Sequence, residues 1–211
     1  MSDGIQSLLD QGYQARREHR LAEAKTIYGE AMAQARSGYE PSLLVQSLTR
    51  LGGIERDLGN IDSSLQHYRE AVSISRTIDA PLTLAHTIRH VGDILRESAQ
   101  LEAALPCYRE ALEIYRSHPE TNMLDLANTL RGYALLEAAL GQTETAIALW
   151  QETGALYNQV WQEPESPYSE ADLKPGILES QRQIAQLSQV ETRSFEDFKR
   201  FRAGTSRIGA P

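Results

Sequence analysis

Cysteine is nearly absent from this 211-residue chain: Cys107 stands alone, so no internal disulfide can form and nothing points to an oxidising compartment. Long apolar runs are missing too. No stretch approaches the roughly 20 residues that span a bilayer, and the opening Met-Ser-Asp-Gly-Ile-Gln lacks the basic segment and apolar core of a secretory signal. A cytoplasmic protein without a membrane partner is expected. Positive charge is in deficit, with 21 Lys+Arg against 29 Asp+Glu and a formal net charge of -8. Such a chain is a poor general binder of nucleic acid, which requires a cationic surface to displace counterions from phosphates. Also missing are a phosphate-cradling Gly-rich loop, a Gly-x-Ser-x-Gly elbow and a paired-cysteine motif. No catalytic residues are assigned, and neither a cofactor nor a metal is expected.

What remains is a composition suited to close helix packing. Hydrophobic residues make up 41 % and charged residues 24 %, ordinary for a folded chain, while aromatics reach only 7 %. An internal repeat is plain. Tyr28-Gly-Glu-Ala31 returns as Tyr68-Arg-Glu-Ala71 and Tyr108-Arg-Glu-Ala111, each step being 40 residues, and then as Trp150-Gln-Glu-Thr153 after 42. Gly12, Gly52, Gly92 and Ala134 keep the same register. Two markers sharing one period identify a structural repeat.

Each unit reads as two helices. In the second, Pro41 suits a first turn, and Leu43, Leu44, Leu48, Leu51, Ile54 and Leu58 have helical spacing. Gly59-Asn60 ends that helix. Asp62 or Ser63 is expected to cap the next one, which carries Leu65, Tyr68, Ala71, Val72 and Ile74 on one side. The third unit repeats the plan from Pro81, with Leu101 in the turn. Two antiparallel helices approach closely only where a side chain is nearly absent, so Gly52 and Gly92 on first helices and Ala71 and Ala111 on second helices are expected to be packing positions. Gly52-Gly53 follows no strand, and both glycines are expected to serve packing. One helix pair cannot bury its apolar face alone, so the pairs must stack.

These residues resemble the tetratricopeptide repeat family, whose pattern places Leu-Gly on the first helix, Gly in the turn, then Ala, an aromatic and Ala on the second. The second unit gives Leu51-Gly52, Gly59, Ser64, Tyr68 and Ala71; the third gives Val91-Gly92, Ala99, Ala104, Tyr108 and Ala111. The first gives Gln11-Gly12, His19, Ala24, Tyr28 and Ala31, and the fourth Tyr133-Ala134, Gly141, Ala146, Trp150 and Thr153. A step of 40 to 42 departs from the usual 34. It is similar to the longer repeats of kinesin light chain and of bacterial regulatory solenoids. The resemblance implies an all-α, right-handed α-α superhelix of four helix-turn-helix repeats with a C-terminal capping helix. That places a solenoid over 1–188, with repeats at about 5–37, 41–77, 81–117 and 121–161, a cap at about 172–188 and a tail over 189–211. Ile177, Ile184, Ala185 and Leu187 suit the capping helix, with Pro175 in its first turn.

The resemblance also implies that first helices line a concave groove. Arg16, Arg56 and Arg96 share one position there, and Ala138 takes it in the fourth unit. Arg89 and Arg131 share a second, with Arg50 one residue past it; His86 and Asn128 share a third. With Thr49 and Asp93 they form the candidate partner-binding set. A groove so rich in arginine favours carboxylates, which a guanidinium can hold bidentately. The alternative is that these arginines pair with Glu55, Asp57, Asp93, Glu97 and Glu137. The Lys and Asn clamp of chaperone-binding relatives is not matched, since its Asn positions hold Gly53 and Asp93. His86, His90 and Asp93 have the spacing of metal ligands on one helical face, yet no further ligand accompanies them. They are expected to be hydrogen-bonding groove or interhelical residues. Cys107 is expected to be a packed or half-exposed structural thiol, and Pro106 is tolerable only within a first turn. Phe195, Phe198 and Phe201, the chain's only phenylalanines, lie among Arg193, Lys199, Arg200 and Arg202. They are expected to dock on the last repeat or on a second copy, giving a homodimer.

The expected function is a scaffold holding a protein or peptide segment, acidic in character, in its concave groove. A regulatory sensor for a peptide or small molecule and a homo-oligomeric structural protein are the alternatives. Enzymatic activity is not expected.

Overall fold

The structure, a computed structural model, describes residues 2–163 and 168–205; of residues 190–205 it describes the backbone alone. The docking expected of Phe195, Phe198 and Phe201 lies outside the described side chains. Every element among the described residues is helical, and the chain divides into two compact units, Met1–Thr121 and Asn122–Pro211.

The first unit holds three helical hairpins: α1 (Ser2–Arg17) with α2 (Leu21–Ser37), α3 (Pro41–Asp57) with α4 (Ile61–Ser75), and α5 (Pro81–Glu97) with α6 (Leu101–Ser117). Each helix packs on the next in the chain, and α1 also touches α3. Pro41 and Pro81 open their helices, where the missing N–H costs nothing. The turn inside each hairpin has one geometry. Asn60 N–H donates to the Glu55 carbonyl at 2.8 Å and Gly59 N–H to the Arg56 carbonyl at 2.9 Å, closing a left-handed cap at Gly59 with φ 80°. The same pair of bonds recurs at His19 and Ala99, with φ 59° and 58°. This turn sets the start of the second helix. Asp62 and Ser63 are therefore not caps: α4 begins at Ile61, the N-cap is Asn60 without a side-chain cap bond, and Asn60 donates to Glu55 Oε2 instead. Leu101 likewise opens α6 instead of lying in the turn.

The repeat markers meet. A Cβ on Gly12 would come within 2.5 Å of the Tyr28 ring, and one on Gly52 within 3.0 Å of Tyr68. On Gly92 it would meet Cys107 Cβ at 3.2 Å and the Tyr108 ring at 3.3 Å. All three tyrosines are fully or almost fully buried, as are Ala31, Ala71 and Ala111. Burying each ring stabilises the unit by on the order of 2 kcal/mol. Successive hairpins are also tied by Arg36–Glu70 at 2.5 Å and Arg76–Glu110 at 2.7 Å, two ion pairs one repeat apart. These pairs are half exposed, so each is worth only about 0–1 kcal/mol and mainly fixes register. Pro106 is the sixth residue of α6, past the first turn. It is tolerated because Pro106 and Glu102, whose carbonyl loses its helical partner, are both exposed, where solvent can reach that carbonyl.

The second unit holds α7 (Met123–Ala139), α8 (Thr143–Gln162) and α9 (Glu170–Thr205). Asn122 caps α7 by accepting from Leu124 N–H at 2.8 Å. Trp150 is fully buried where the other repeats have tyrosine. Helix α9 lays Leu173 and Ile177 on Ala127, Tyr157 and Val160, capping the α7–α8 pair. Gly176 admits the Tyr157 ring, which a Cβ would approach to 2.6 Å. Ala185, expected on the packed side, is exposed. Pro175 is the sixth residue of α9, because Ser169 starts the helix early: its N–H and hydroxyl both donate to Asp172 Oδ2, at 2.8 and 2.6 Å.

Two substitutions test these constraints by urea denaturation. Gly12→Ala pushes a methyl into the Tyr28 ring and lowers stability by about 1–3 kcal/mol. Ala99→Gly relieves a left-handed alanine and raises stability by about 1 kcal/mol. An unchanged midpoint for Gly12→Ala would contradict the packing described.

Candidate functional site

In the first unit, helices α1, α3 and α5 carry the candidate residues side by side. Arg16, Arg56 and Arg96 fall in the last turns of α1, α3 and α5. Cations there complement the unpaired carbonyls of the helix end, a local reason for the recurrence that spacing alone did not reveal. Arg16 crosses α3 to Asp57, with Nε at 2.9 Å and Nη2 at 2.7 Å from Oδ2. It passes over Gly53, whose added Cβ would find Arg16 Nη1 and Tyr68 Oη at 3.4 Å. Gly53 is therefore not a helix-packing glycine like Gly52; it lies beneath a guanidinium. Arg96 donates to Tyr108 Oη at 3.3 Å and meets Glu97 at 3.1 Å. Arg56 has no hydrogen-bond or ion-pair partner among the described residues. Arg50 lies 5.9 Å from the centroid of the Tyr13 ring, and Arg17 lies at the same distance from it. The Thr49 hydroxyl donates to the Val45 carbonyl at 2.8 Å, so its own helix satisfies it.

The densest chemistry is on α5. Arg89 donates to Asp93 Oδ2 and to His90 Nε2, both at 2.8 Å. Tyr108 donates to Asp93 Oδ1 at 2.7 Å. His90 Nε2 stands 3.2 Å from His86 Nε2, and the His90 ring stacks on Tyr68 with centroids 5.0 Å apart. Since Nε2 accepts from Arg89, the neutral His90 carries its proton on Nδ1, which is buried without a hydrogen-bond partner among the described residues; Arg89 Nε is left the same way. Burial holds the His90 imidazole well below its usual range, and Arg89, His86, Arg56 and Arg16 add to the effect. Burial pushes the Tyr68 phenol up to about 12 against the pull of Arg56, Arg89 and Arg16. Guanidiniums from three helices thus act on one spot, a positive patch in a chain of net charge -8. The spacing of His86, His90 and Asp93 produces a hydrogen-bonded cluster around Arg89 and Tyr108.

In the second unit, Asn128 accepts from the Tyr157 hydroxyl at 2.7 Å, and Arg131 forks onto Glu179 at 2.6 and 3.1 Å. Pairing with nearby acids therefore accounts for Arg16, Arg89, Arg96 and Arg131. Glu55 takes Lys25 at 2.8 Å instead of an arginine. Reasoning from sequence missed Tyr13, Glu179 and the hydroxyls of Tyr68 and Tyr108. The repeat register showed the tyrosines as packing residues; what faced their hydroxyls depended on Gly53 in one repeat and Asp93 in the next.

Family models described as tetratricopeptide repeat match residues 83–159 and 44–78, together more than half of the chain. The chain belongs to the tetratricopeptide-repeat family. No curated protein matches it by sequence. Among solved structures it is similar to BtubC (BKLC) from P. vanneervenii, at 18 % identity and TM-score 0.66 over 100 % of this chain and 83 % of that one. The kinesin light chain TPR-like repeats of Podosopora anserina align at 15 % identity and TM-score 0.67, covering 100 % and 99 %. The apo form of RapI aligns at 14 % identity and TM-score 0.67, covering 93 % of this chain and 51 % of that one. At these identities the likeness is one of fold.

His90 also ties stability of this TPR protein to pH. Its folded pKa is below the unfolded value near 6.5, so the unfolded chain takes the proton first. Stability is full above that pH and falls as pH drops below it, with a limiting slope of about 1.4 kcal/mol per pH unit per histidine. His67, also lowered by burial, acts in the same direction. The melting temperature should fall between about pH 6.5 and 5.5, and His90→Gln should flatten that fall without abolishing it.

Proposed function

We propose that this chain is a TPR interaction scaffold whose α1, α3 and α5 face holds an acidic segment of a partner protein. One observation carries the proposal: the cationic patch around Tyr68 and His90 includes a guanidinium, Arg56, that no acid of the described residues neutralises. Arg50 is exposed and, among the described residues, held only against the Tyr13 ring, so it too can turn to a carboxylate. Arg16 and Arg89 supply the field, while Asp57 and Asp93 keep them ordered without a partner present. Arg56 and Arg50 offer donors and nothing that accepts, which suits the oxygen-rich side chains of Asp and Glu. The helical repeats offer a surface for a partner, with no assembled nucleophile or acid–base pair among the described residues, and we read the protein as a cytoplasmic, non-enzymatic adaptor. No helix among the described residues is long and apolar enough to cross a membrane.

A fluorescent peptide rich in Asp and Glu tests this, beside a control with Asn and Gln in their places. The acidic peptide should bind and lose affinity steeply as salt rises. Arg56→Glu should weaken it at least about tenfold, the loss expected when an attractive charge becomes repulsive. Equal binding of the neutral control, or unchanged affinity for a folded Arg56→Glu protein, would overturn the proposal.

A further inference from the structure

Outside that face, the first unit contains a cavity of about 130 Å³ where α4, α5 and α6 meet. Its floor is apolar, made by Val72, Ile88 and Val91, and the thiol of Cys107 forms a wall. The preceding junction, between the first and second hairpins, shows why space is left. One repeat earlier, Met32 stands for Val72, Leu51 for Val91 and His67 for Cys107. Met32 packs there against the clusters holding Leu48 and Leu51. The smaller residues of the later junction leave that volume unfilled. The ion pair of the first junction, Arg36–Glu70, is kept at the second as Arg76–Glu110, so the hairpins have not closed onto the gap.

The rim changes as well. Gly29 of the first junction is replaced by Arg69 at the cavity mouth. Arg69 has no hydrogen-bond or ion-pair partner among the described residues, whereas the nearby Glu110 is neutralised by Arg76 at 2.7 Å. Burial pushes the Cys107 thiol up, so it stays protonated and adds no charge to the wall. The pocket opens to solvent, and the paired Arg76 and Glu110 complete its lining; a mostly apolar hollow large enough for a small ring or branched alkyl group, with one unpaired guanidinium at its mouth, has a defined complement.

We propose that this cavity binds a small apolar monocarboxylate, with a phenyl- or isobutyl-sized group against Val72, Ile88 and Val91 and its carboxylate on Arg69. The site is separate from the α1, α3 and α5 face, and either can fail without the other. It would give the scaffold a small-molecule input within the second and third hairpins.

The probe is sodium benzoate, titrated into the full chain and followed by thermal shift and by NMR. Saturable binding in the millimolar range or tighter is expected, with benzyl alcohol, the uncharged analogue, binding more weakly. Arg69→Gly should lower benzoate affinity several-fold and leave benzyl alcohol unchanged. The double substitution Val72→Met with Cys107→His installs the side chains of the preceding junction and should abolish binding while keeping the melting temperature. Alkylation of Cys107 by iodoacetamide should be slowed by benzoate in the unmodified protein, a readout that needs no variant. Unsaturable binding, no protection of Cys107, or benzoate affinity unaffected by Arg69→Gly would each overturn the proposal.

Discussion

A glycine on the first helix of each hairpin gives its place to the ring of a tyrosine on the second, and the geometry of the first unit follows from that contact. Gly12 faces Tyr28 at a distance that leaves no room for a methyl group, and Gly52 and Gly92 face Tyr68 and Tyr108 at distances where a methyl group would crowd the ring. The rings are too large to be buried within a single helix face, so the hairpins close around them. Each phenol then points toward the α1, α3 and α5 face. Packing thus buries a row of phenols beneath the face where the first-helix arginines stand.

What happens to each hydroxyl differs along the row. Tyr28 Oη is buried with no hydrogen-bond partner among the described residues. Tyr68 Oη lies beside the Arg16 guanidinium above Gly53. Tyr108 Oη is engaged on both sides, by Asp93 and Arg96. The residue after the packing glycine decides this, being Tyr13, Gly53 or Asp93. The same scaffold position therefore gives an aromatic, a guanidinium-covered and an acidic environment in successive repeats. The middle one is where unneutralised positive charge gathers, because Asp93 is already shared by Arg89 and Tyr108.

Repetition also makes departures from it legible. The Arg36–Glu70 and Arg76–Glu110 pairs keep two junctions in register while the side chains beneath them shrink from Met32 and His67 to Val72 and Cys107. A packed interface in one repeat becomes a cavity in the next. In the second unit the contact is reused with a helix outside the repeats: Gly176 of α9 receives Tyr157 of α8. Arg131 is drawn to Glu179 of α9, and Asn128 to Tyr157.

The sequence by itself determined the all-α class, the 40-residue period and the glycine–aromatic contact, because these depend on residue size and spacing along one helix or between neighbours in the chain. Pro41, Pro81 and Gly59 announced their helix ends for the same local reason. Asp62 and Ser63, residue types suited to capping, lie inside α4 because the left-handed turn at Gly59 sets where that helix begins. Tertiary structure alone decided which arginines of one recurrent set are neutralised. Arg16 finds Asp57 and Arg131 finds Glu179 across 41 and 48 residues, while Arg56, at the same repeat position as Arg16, finds no acid among the described residues. The partner of a long side chain depends on what an adjacent helix places within about 3 Å of its tip, and a repeat period carries no information about that.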